Sequence, residues 1–417
     1  MRESNRILFV APASIPVNGA EAIVNVKLLK LLVAKGYRID LISKKVKWEH
    51  YPLMQQEELQ KELESLTVIE LDNRLNLLTI WYHFRAWLRF GVVFKGAHWA
   101  FVASKRAEKL VRNNVYRCVI TKNFPSELVG YWVKLRFGIP WAATWNDPYP
   151  FEFFPEPYGK GPNARLWLLK RPLIRKMQLA DAHIYPSARL RDYMQSYLHC
   201  EINKTYIIPH IVEYSHKNPK KNDGLLSICY MGSLDGPREP WTTLDALEII
   251  HEKHADFVFN VDFIGTAPSG IIDVIKSKHL DEIVHVYPPV PYSESLDLLQ
   301  KYDLSLIIEA PCMEGVFLPS KVSDAMAIGL SIYAISPAVG VLNDLYKCGS
   351  IQYFSDVTNL ESIVEGFERV LSDYLVGRLS GPVVPKDFLP ESVGKEYDIL
   401  IGKISKDEDS ISDQQYK

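Results

Sequence analysis

Two stretches of this 417-residue chain carry side chains that could hold an anion. The first, residues 314–329, reads "EGVFLPSKVSDAMAIG". Pro319 and Ser320 signal a helix start, with Ser320 the expected N-cap. Lys321 would then take the first helical position, where the helix dipole disfavours a cation by roughly 0.3–1 kcal/mol. Asp324 follows on the same face, one turn on. Such a pair either neutralises itself or awaits a phosphate and a sugar. The second stretch, residues 230–247, reads "YMGSLDGPREPWTTLDAL": a strand, a glycine loop, then a helix. Gly232 and Gly236 let the backbone approach a ligand, and the helix start offers unbonded N–H groups. Arg238 in the loop can give a phosphate two hydrogen bonds, although a solvated surface arginine reads equally well from these residues alone. The stretch has neither the GxGxxG nor the GxxxxGK[ST] pattern.

These loops need strands behind them. "RILFVAP" (6–12) is a short β-rich apolar run, followed after a loop by "IVNVKLLKLLVAKG" at helical spacing and then by the strand-like "YRIDLIS". That βαβ opening predicts a parallel, doubly wound sheet. Further strand-like runs occur at 67–71, 117–122, 140–145, 181–187 and 205–210. The polar, Lys/Pro/Gly-bearing segment 212–224 suits a linker. After it the rhythm restarts, with runs at 225–232, 257–265, 283–290, 304–310 and 331–336. The expectation is an α/β protein with two Rossmann-like domains facing across a cleft: 1–211, then 225–385, followed by a C-terminal segment 386–417 whose polar end suggests disorder. In the second domain Arg238, Lys321 and two helix N-termini would converge on one anion, and a diphosphate fits. Asp324 would suit ribose hydroxyls, and Glu314 either a sugar hydroxyl or solvent.

With these motifs the second half resembles the donor-binding domain of GT-B glycosyltransferases, above all the retaining, family-4-like group. "SDAMAIGLSIYAIS" is similar to that group's "EAMA.G.PV", with Asp324 in place of the ribose-binding Glu. The group's earlier Glu falls at Val316, which cannot do that work. A variant pattern, "P-x-K-x-x-E-Y-x-A-x-G", matches the Lys321–Asp324 spacing, and "Y-x-G-x-x-x-x-x-R-x-P" matches Arg238. The resemblance implies that Gly19, Gly232, Glu314, Ser320, Lys321, Asp324 and Arg238 bind a nucleoside diphosphate sugar. It is looser over the first half. There "WNDPYPF" resembles "R-D-P-W", with Asn146 in place of the Arg and Asp147 at the cleft, although an Asn-Asp-Pro turn explains the same residues. "IIPHIVE" resembles the step into the linker, with His210 near the hinge. "TKNFP" (121–125) occupies the strand end where relatives carry a sugar-contacting His.

Residues 1–210 hold 31 Lys+Arg against 18 Asp+Glu, and residues 211–417 hold 17 against 32. The basic half suits an anionic surface. Residues 77–109 mix Trp81, Trp87, Phe90, Phe94 and Trp99 with Arg85, Arg89, Lys95 and Lys105, as an interfacial helix would, although aromatic residues at helical spacing also build cores. Trp87, Arg89 and Trp99 are the expected contacts with a membrane or acceptor. Five scattered cysteines suggest reduced thiols and no structural zinc. Pro12 and Pro16 interrupt the N-terminal apolar run, against a signal peptide. No run is long enough to span a bilayer, and no nucleic-acid-binding module is recognisable.

The expected activity is glycosyl transfer from a nucleotide sugar to a glycan or a polyprenyl- or lipid-linked acceptor, as in surface polysaccharide synthesis. Arg238 and Lys321 would stabilise the leaving diphosphate, with no metal and no cofactor. Retention of configuration is implied by the resemblance alone; for an inverting enzyme Asp147 is the candidate base. The expected location is cytoplasmic, peripheral on the inner face of the plasma membrane. A GT-B nucleotide-sugar epimerase and a catalytically silent, membrane-associated GT-B subunit are the alternatives.

Overall fold

The structure, a computed structural model, describes residues 5–16, 19–45, 56–71, 76–92, 94–214, 224–234, 236–255 and 257–415, with side chains of the last helix described to residue 405. Most of the expected linker, residues 215–223, lies outside the described residues. The chain forms two compact units: Met1–Phe154 with Gly161–Ile211 and Pro390–Lys417, and Pro155–Lys160 with Val212–Leu389.

The first unit is built on a seven-stranded sheet: β1 (Arg6–Val10), β2 (Arg38–Lys45), β3 (Ser65–Glu70), β4 (Cys118–Lys122), β5 (Trp141–Thr144), β6 (Ala182–Tyr185) and β7 (Thr205–Ile207). The spatial order is β3-β2-β1-β4-β5-β6-β7, with every pairing parallel. Strands β1, β4, β5 and β6 are buried almost throughout, because helices cover both sheet faces and their Val, Ile and Ala side chains meet apolar groups either way. Asp40 on β2 ties the sheet edge together, taking hydrogen bonds from Arg6 on β1 (2.5 Å), from the Tyr116 hydroxyl (2.6 Å) and from Ser65 on β3.

The second unit holds a six-stranded sheet: β8 (Leu226–Met231), β9 (Phe259–Ile264), β10 (Val284–Tyr287), β11 (Leu304–Ile308), β12 (Ser331–Ser336) and β13 (Tyr353–Asp356). Its order, β10-β9-β8-β11-β12-β13, again has only parallel pairs. Both sheets reverse strand order beside their first strand, and such a switch point opens a crevice beyond the strand carboxyl ends.

The C-terminal segment differs from its expectation. It forms the helix Pro390–Gln415, which extends through residues whose composition suggests disorder. Val393, Tyr397, Leu400, Ile401 and Ile404 join the first unit's core, and Asp398 accepts from Tyr37 (2.9 Å) and pairs with Lys35 (2.7 Å). A helix anchored this way at its start propagates at low cost, since each added residue gains a backbone hydrogen bond.

Two expected surface residues are internal. Trp99 is 1% exposed, on the core face of the helix Ala97–Asn113. Arg89 pairs with Glu108 (3.1 Å), donates to Ser104 (2.6 Å) and lies over the Trp132 ring at 4.5 Å. Its charge is spent on helix packing, so the alternation of cations with aromatics in this region is partly intramolecular. Trp87 does face solvent, on the helix Leu77–Phe90, with Leu77, Leu78, Ile80, Trp81, Phe84 and Leu88 also exposed. Among the described residues no helix is long and apolar enough to cross a membrane, and no group of His, Cys, Asp or Glu could hold a metal ion. The five cysteines are free.

Candidate functional site

In the second unit the glycine loop after β8 and the segment after β11 meet at Gly232. This residue has φ 130°, and a β-carbon there would lie 2.7 Å from Lys321 Cε and 3.0 Å from Nζ. The lysine can cross the loop only because position 232 has no side chain. Lys321 Nζ donates to the Tyr230 hydroxyl at 2.6 Å and sits 3.9 Å from that ring's centroid. The loop is also pressed against the end of β9: a β-carbon on Gly265 would be 2.0 Å from the Gly232 carbonyl oxygen.

Lys321 lies in the helix Ser320–Ala327, whose N-cap is Pro319 and not Ser320. Proline starts the helix from extended backbone and brings no side-chain acceptor, so Ser320 and Lys321 become the first two helical residues and no side chain caps the turn. The helix Trp241–Lys253, after the glycine loop, likewise begins at a proline, Pro240, without a side-chain cap. Neither helix start is therefore capped by the side chain of its N-cap residue.

Arg238 is not a solvated surface charge. Its side chain is 23% exposed and pairs at 3.3 Å with Glu309, which follows β11 and is itself buried. Glu309 holds the guanidinium above its ordinary range against the opposing effect of burial, and the Tyr158 and Tyr230 hydroxyls act in the same direction. Tyr230 is thus a neighbour of both cations. Tyr158 lies 6.0 Å from the guanidinium and stacks edge-on against Phe317. One turn into the lysine's helix, buried Asp324 accepts from Tyr292 at 2.8 Å. Burial and this carboxylate raise the Tyr292 hydroxyl's pKa, so Tyr292 remains a donor. Glu314 is half-buried, and Val316, at the position of the resembled family's first Glu, is fully buried. The neighbouring Gly315 pairs by backbone with Gly340.

In the first unit, charged groups gather at the carboxyl ends of β4 and β5. Lys122 ends β4, is 3% exposed, and donates to the Asn146 Oδ1 at 3.5 Å. Glu127, in the first turn of the helix Ser126–Phe137, is fully buried; its Oε2 has no partner and its Oε1 accepts from Ser126 at 3.4 Å. Burial pushes the Glu127 carboxyl up to about 8, and the Lys122 ammonium down to about 8. Glu21, from the first turn of the helix Ala20–Ala34, is half-buried as a residue, yet its carboxyl is held well above the carboxylate range by burial and then by Asp147. Gly19 caps that helix at φ 152°, with open space where a β-carbon would point. Asn123, in a left-handed conformation (φ 62°), accepts from the Asn146 backbone N–H at 3.0 Å. A small cavity of about 20 Å³, room for one water, is lined by Lys122, Thr144, Asn146, His210 and Tyr397. The Asn146 Nδ2 in its lining is buried without a partner, as is the Nδ2 of Asn123 just past the end of β4. His210 therefore sits against the first unit's strand ends, one residue before Ile211, where the chain leaves that unit for the second.

The structure brings Gly232, Lys321, Arg238 and Asp324 to one end of the second sheet, and Asn146, Asp147 and His210 to one end of the first. Sequence reading missed Glu309, Tyr230, Tyr292, Lys122, Glu127 and Glu21. A signal existed for three of them: "LSLIIEA" and "RCVITKNFPSE" place Glu309, Lys122 and Glu127 just where buried strands end, and charged residues at such ends face ligands.

Comparison with known proteins agrees with this layout. Residues 17–216 match the family model described as Glycosyltransferase Family 4. No curated protein is significantly similar in sequence. Among solved structures, sucrose-phosphate synthase from Thermosynechococcus elongatus superposes with a TM-score of 0.61 at 14% identity, over 99% of each chain. HepE of Anabaena, solved in complex with UDP, gives 0.60 at 13%, over 98% of this chain and 100% of that one. TarM of S. aureus, solved with fondaparinux, α-GlcNAc-glycerol and UDP, gives 0.62 at 10%, over 95% and 99%. The chain has the fold of these GT-B glycosyltransferases.

Proposed function

We propose that this chain, with its GT-B fold and a first half matching Glycosyltransferase Family 4, transfers a sugar from a nucleoside diphosphate sugar to a glycan or lipid-linked acceptor. The observation that carries the reading is the pair of cations at one end of the second sheet. Lys321 is threaded over Gly232 onto Tyr230, and Arg238 is held by Glu309, beside two helix starts without side-chain caps. In glycosyl transfer the bond from the anomeric carbon to the diphosphate oxygen breaks, and a bond to the acceptor oxygen forms. Negative charge grows on the diphosphate, and fixed cations with oriented N–H groups stabilise it there. Asp324 stands one helical turn away, where a ribose attached to that diphosphate would need an acceptor for its hydroxyls.

The finer parts of the reading follow from the same residues. Positive charge supplied by Arg238, Lys321 and the helix starts supports a metal-independent reaction. Retention fits a reaction in which the leaving phosphate takes the acceptor proton; in the first unit, Asp147 beside Glu21 is the base for the inverting case. The exposed apolar face around Trp81, Phe84 and Trp87 supports peripheral attachment to an anionic membrane, with Arg85 exposed beside it. A role in surface polysaccharide synthesis agrees with such an acceptor.

The burial of Val316 favours one other reading, a silent subunit that keeps the fold without the activity. Incubation with a panel of nucleotide sugars, with release of nucleoside diphosphate as readout, separates the two. A transferase releases it slowly to water and faster with acceptor. A protein that gives no release, and whose melting temperature no nucleoside diphosphate raises, is not a transferase.

A further inference from the structure

We propose that Lys44, His83, Lys95 and His98 form a binding site for a phosphate group at the start of the helix Ala97–Asn113, apart from the residues assigned to transfer. Lys44 is the penultimate residue of β2, so the site lies at the ligand end of the first sheet. The 17-residue helix is capped by Gly96 in a left-handed conformation (φ 90°), and no side chain caps its N-terminus. His98, the second helical residue, is 8% exposed, and both its ring nitrogens are buried with no partner. The His98 ring lies 4.9 Å from that of His83.

Among the described residues, the titratable groups that act on that ring, His83 and Lys44, are both basic. Among the described residues no carboxylate pairs with Lys44, His83, Lys95 or His98, although the adjacent Lys45 pairs with Glu70 at 3.1 Å. Burial and then Lys95 lower the affinity of Lys44 for its proton. Burial, then His83 and Lys44, hold His98 down to about 4, so its ring is neutral and offers one N–H with nothing to accept it. Like charges collected without a counter-charge, next to an unbonded buried N–H, call for an anion. Two lysines and a helix start, worth about half a charge, match a phosphate dianion better than a singly charged carboxylate. The helix N–H groups and the His98 N–H supply the donors that its oxygens need.

The site stands without the transfer reading; if that reading also holds, the phosphate belongs to the acceptor. The test uses the full chain with ¹³C-labelled histidine, the His83 and His98 signals being assigned with His83→Gln and His98→Gln. Inorganic phosphate, glycerol 3-phosphate and vesicles of phosphatidylglycerol or phosphatidylcholine are added in turn. The expected result is a saturable shift of the His98 signal with a phosphate-bearing probe, weakened about tenfold or more in Lys44→Ala/Lys95→Ala, as loss of charge-assisted bonds requires. That variant changes side chains that reach solvent, and an unchanged melting temperature confirms that it folds. A shift with phosphatidylglycerol vesicles alone assigns the phosphate to a lipid headgroup, and a shift with glycerol 3-phosphate to a soluble phosphorylated compound. A His98 signal that no phosphate-bearing probe moves, or one whose shift survives unchanged in the double variant, overturns the proposal. The shift should persist in Arg238→Ala/Lys321→Ala; if the parent protein shows the shift but releases no nucleoside diphosphate, the transfer reading falls alone.

Discussion

Lys321 occupies the space that a side chain on Gly232 would need, with its Cε 2.7 Å from where a β-carbon would stand. Two segments 89 positions apart in the chain thus form one surface. The contact explains why a cation lies in the first turn of a helix, where the dipole opposes it: the Tyr230 hydroxyl and ring offset the cost.

Gly232→Ala must therefore displace the lysine and strain a backbone at φ 130°. The expected result is loss of nucleoside diphosphate binding, read as loss of the ligand-induced rise in melting temperature, with about 1–3 kcal/mol lost from the fold. Lys321→Ala in the same background should restore part of that stability without restoring binding. Full nucleotide binding in Gly232→Ala would remove the donor assignment from this loop.

Glu309 and Arg238 should behave asymmetrically. Glu309→Ala leaves a largely buried guanidinium unpaired and should cost about 3 kcal/mol, at the lower end for a broken buried pair because Arg238 keeps 23% of its exposure. Arg238→Ala should instead abolish turnover. Its thermal stability should recover in part in Arg238→Ala/Glu309→Gln, where neither charge remains, and calorimetry on the three variants checks this.

The buried Glu127 makes stability depend on pH. Its carboxyl titrates near 8 in the folded protein and near 4.5 as a free side chain, so between these values the folded state holds a proton that the unfolded state has released. Stability from this group is complete below about pH 4.5 and is lost as pH rises towards 8. Lys122 acts above that window: its folded value near 8 lies below the free value of 10.5, so its contribution improves as pH rises from 8. Glu127→Gln should flatten the fall between pH 5 and 8 in denaturant titrations. An unchanged slope would show that this carboxyl is not held protonated.

Trp87 and Trp99 should separate surface from core. Trp81→Ser/Trp87→Ser should reduce pelleting with anionic liposomes and leave the melting temperature near that of the parent, both rings being about half exposed. Trp99→Ala should cost about 3–5 kcal/mol, the usual result of emptying a fully buried aromatic site. Unchanged pelleting in the double variant would retire the membrane reading.

Much of the fold was legible because buried parallel strands leave a local record. "RILFV", "CVITK" and "SIYAIS" are short, mostly apolar runs containing β-branched or aromatic residues, and each lies where a strand was expected. Lys321 and Arg238 could be picked out as candidates because each stands between a strand and the helix that follows, where ligand-facing residues concentrate, and Asp324 because it lies one turn further along the lysine's helix. The fate of residues 77–109 was not. The spacing of Trp87, Arg89 and Trp99 is compatible with either face of a helix, and only the partner helix decided that Trp87 faces water while Arg89 lies over Trp132.

The positions of the strand runs and the α/β class followed from local pattern, since backbone hydrogen bonding and apolar periodicity act over a few residues. The pairing of Arg238 with Glu309, the seat of Lys321 on Gly232, the buried charges of Lys122 and Glu127, and the return of the C-terminal helix to the first core did not. Each depends on segments far apart in the chain meeting at a chosen distance. Burial and electrostatic environment belong to that meeting and to no residue alone.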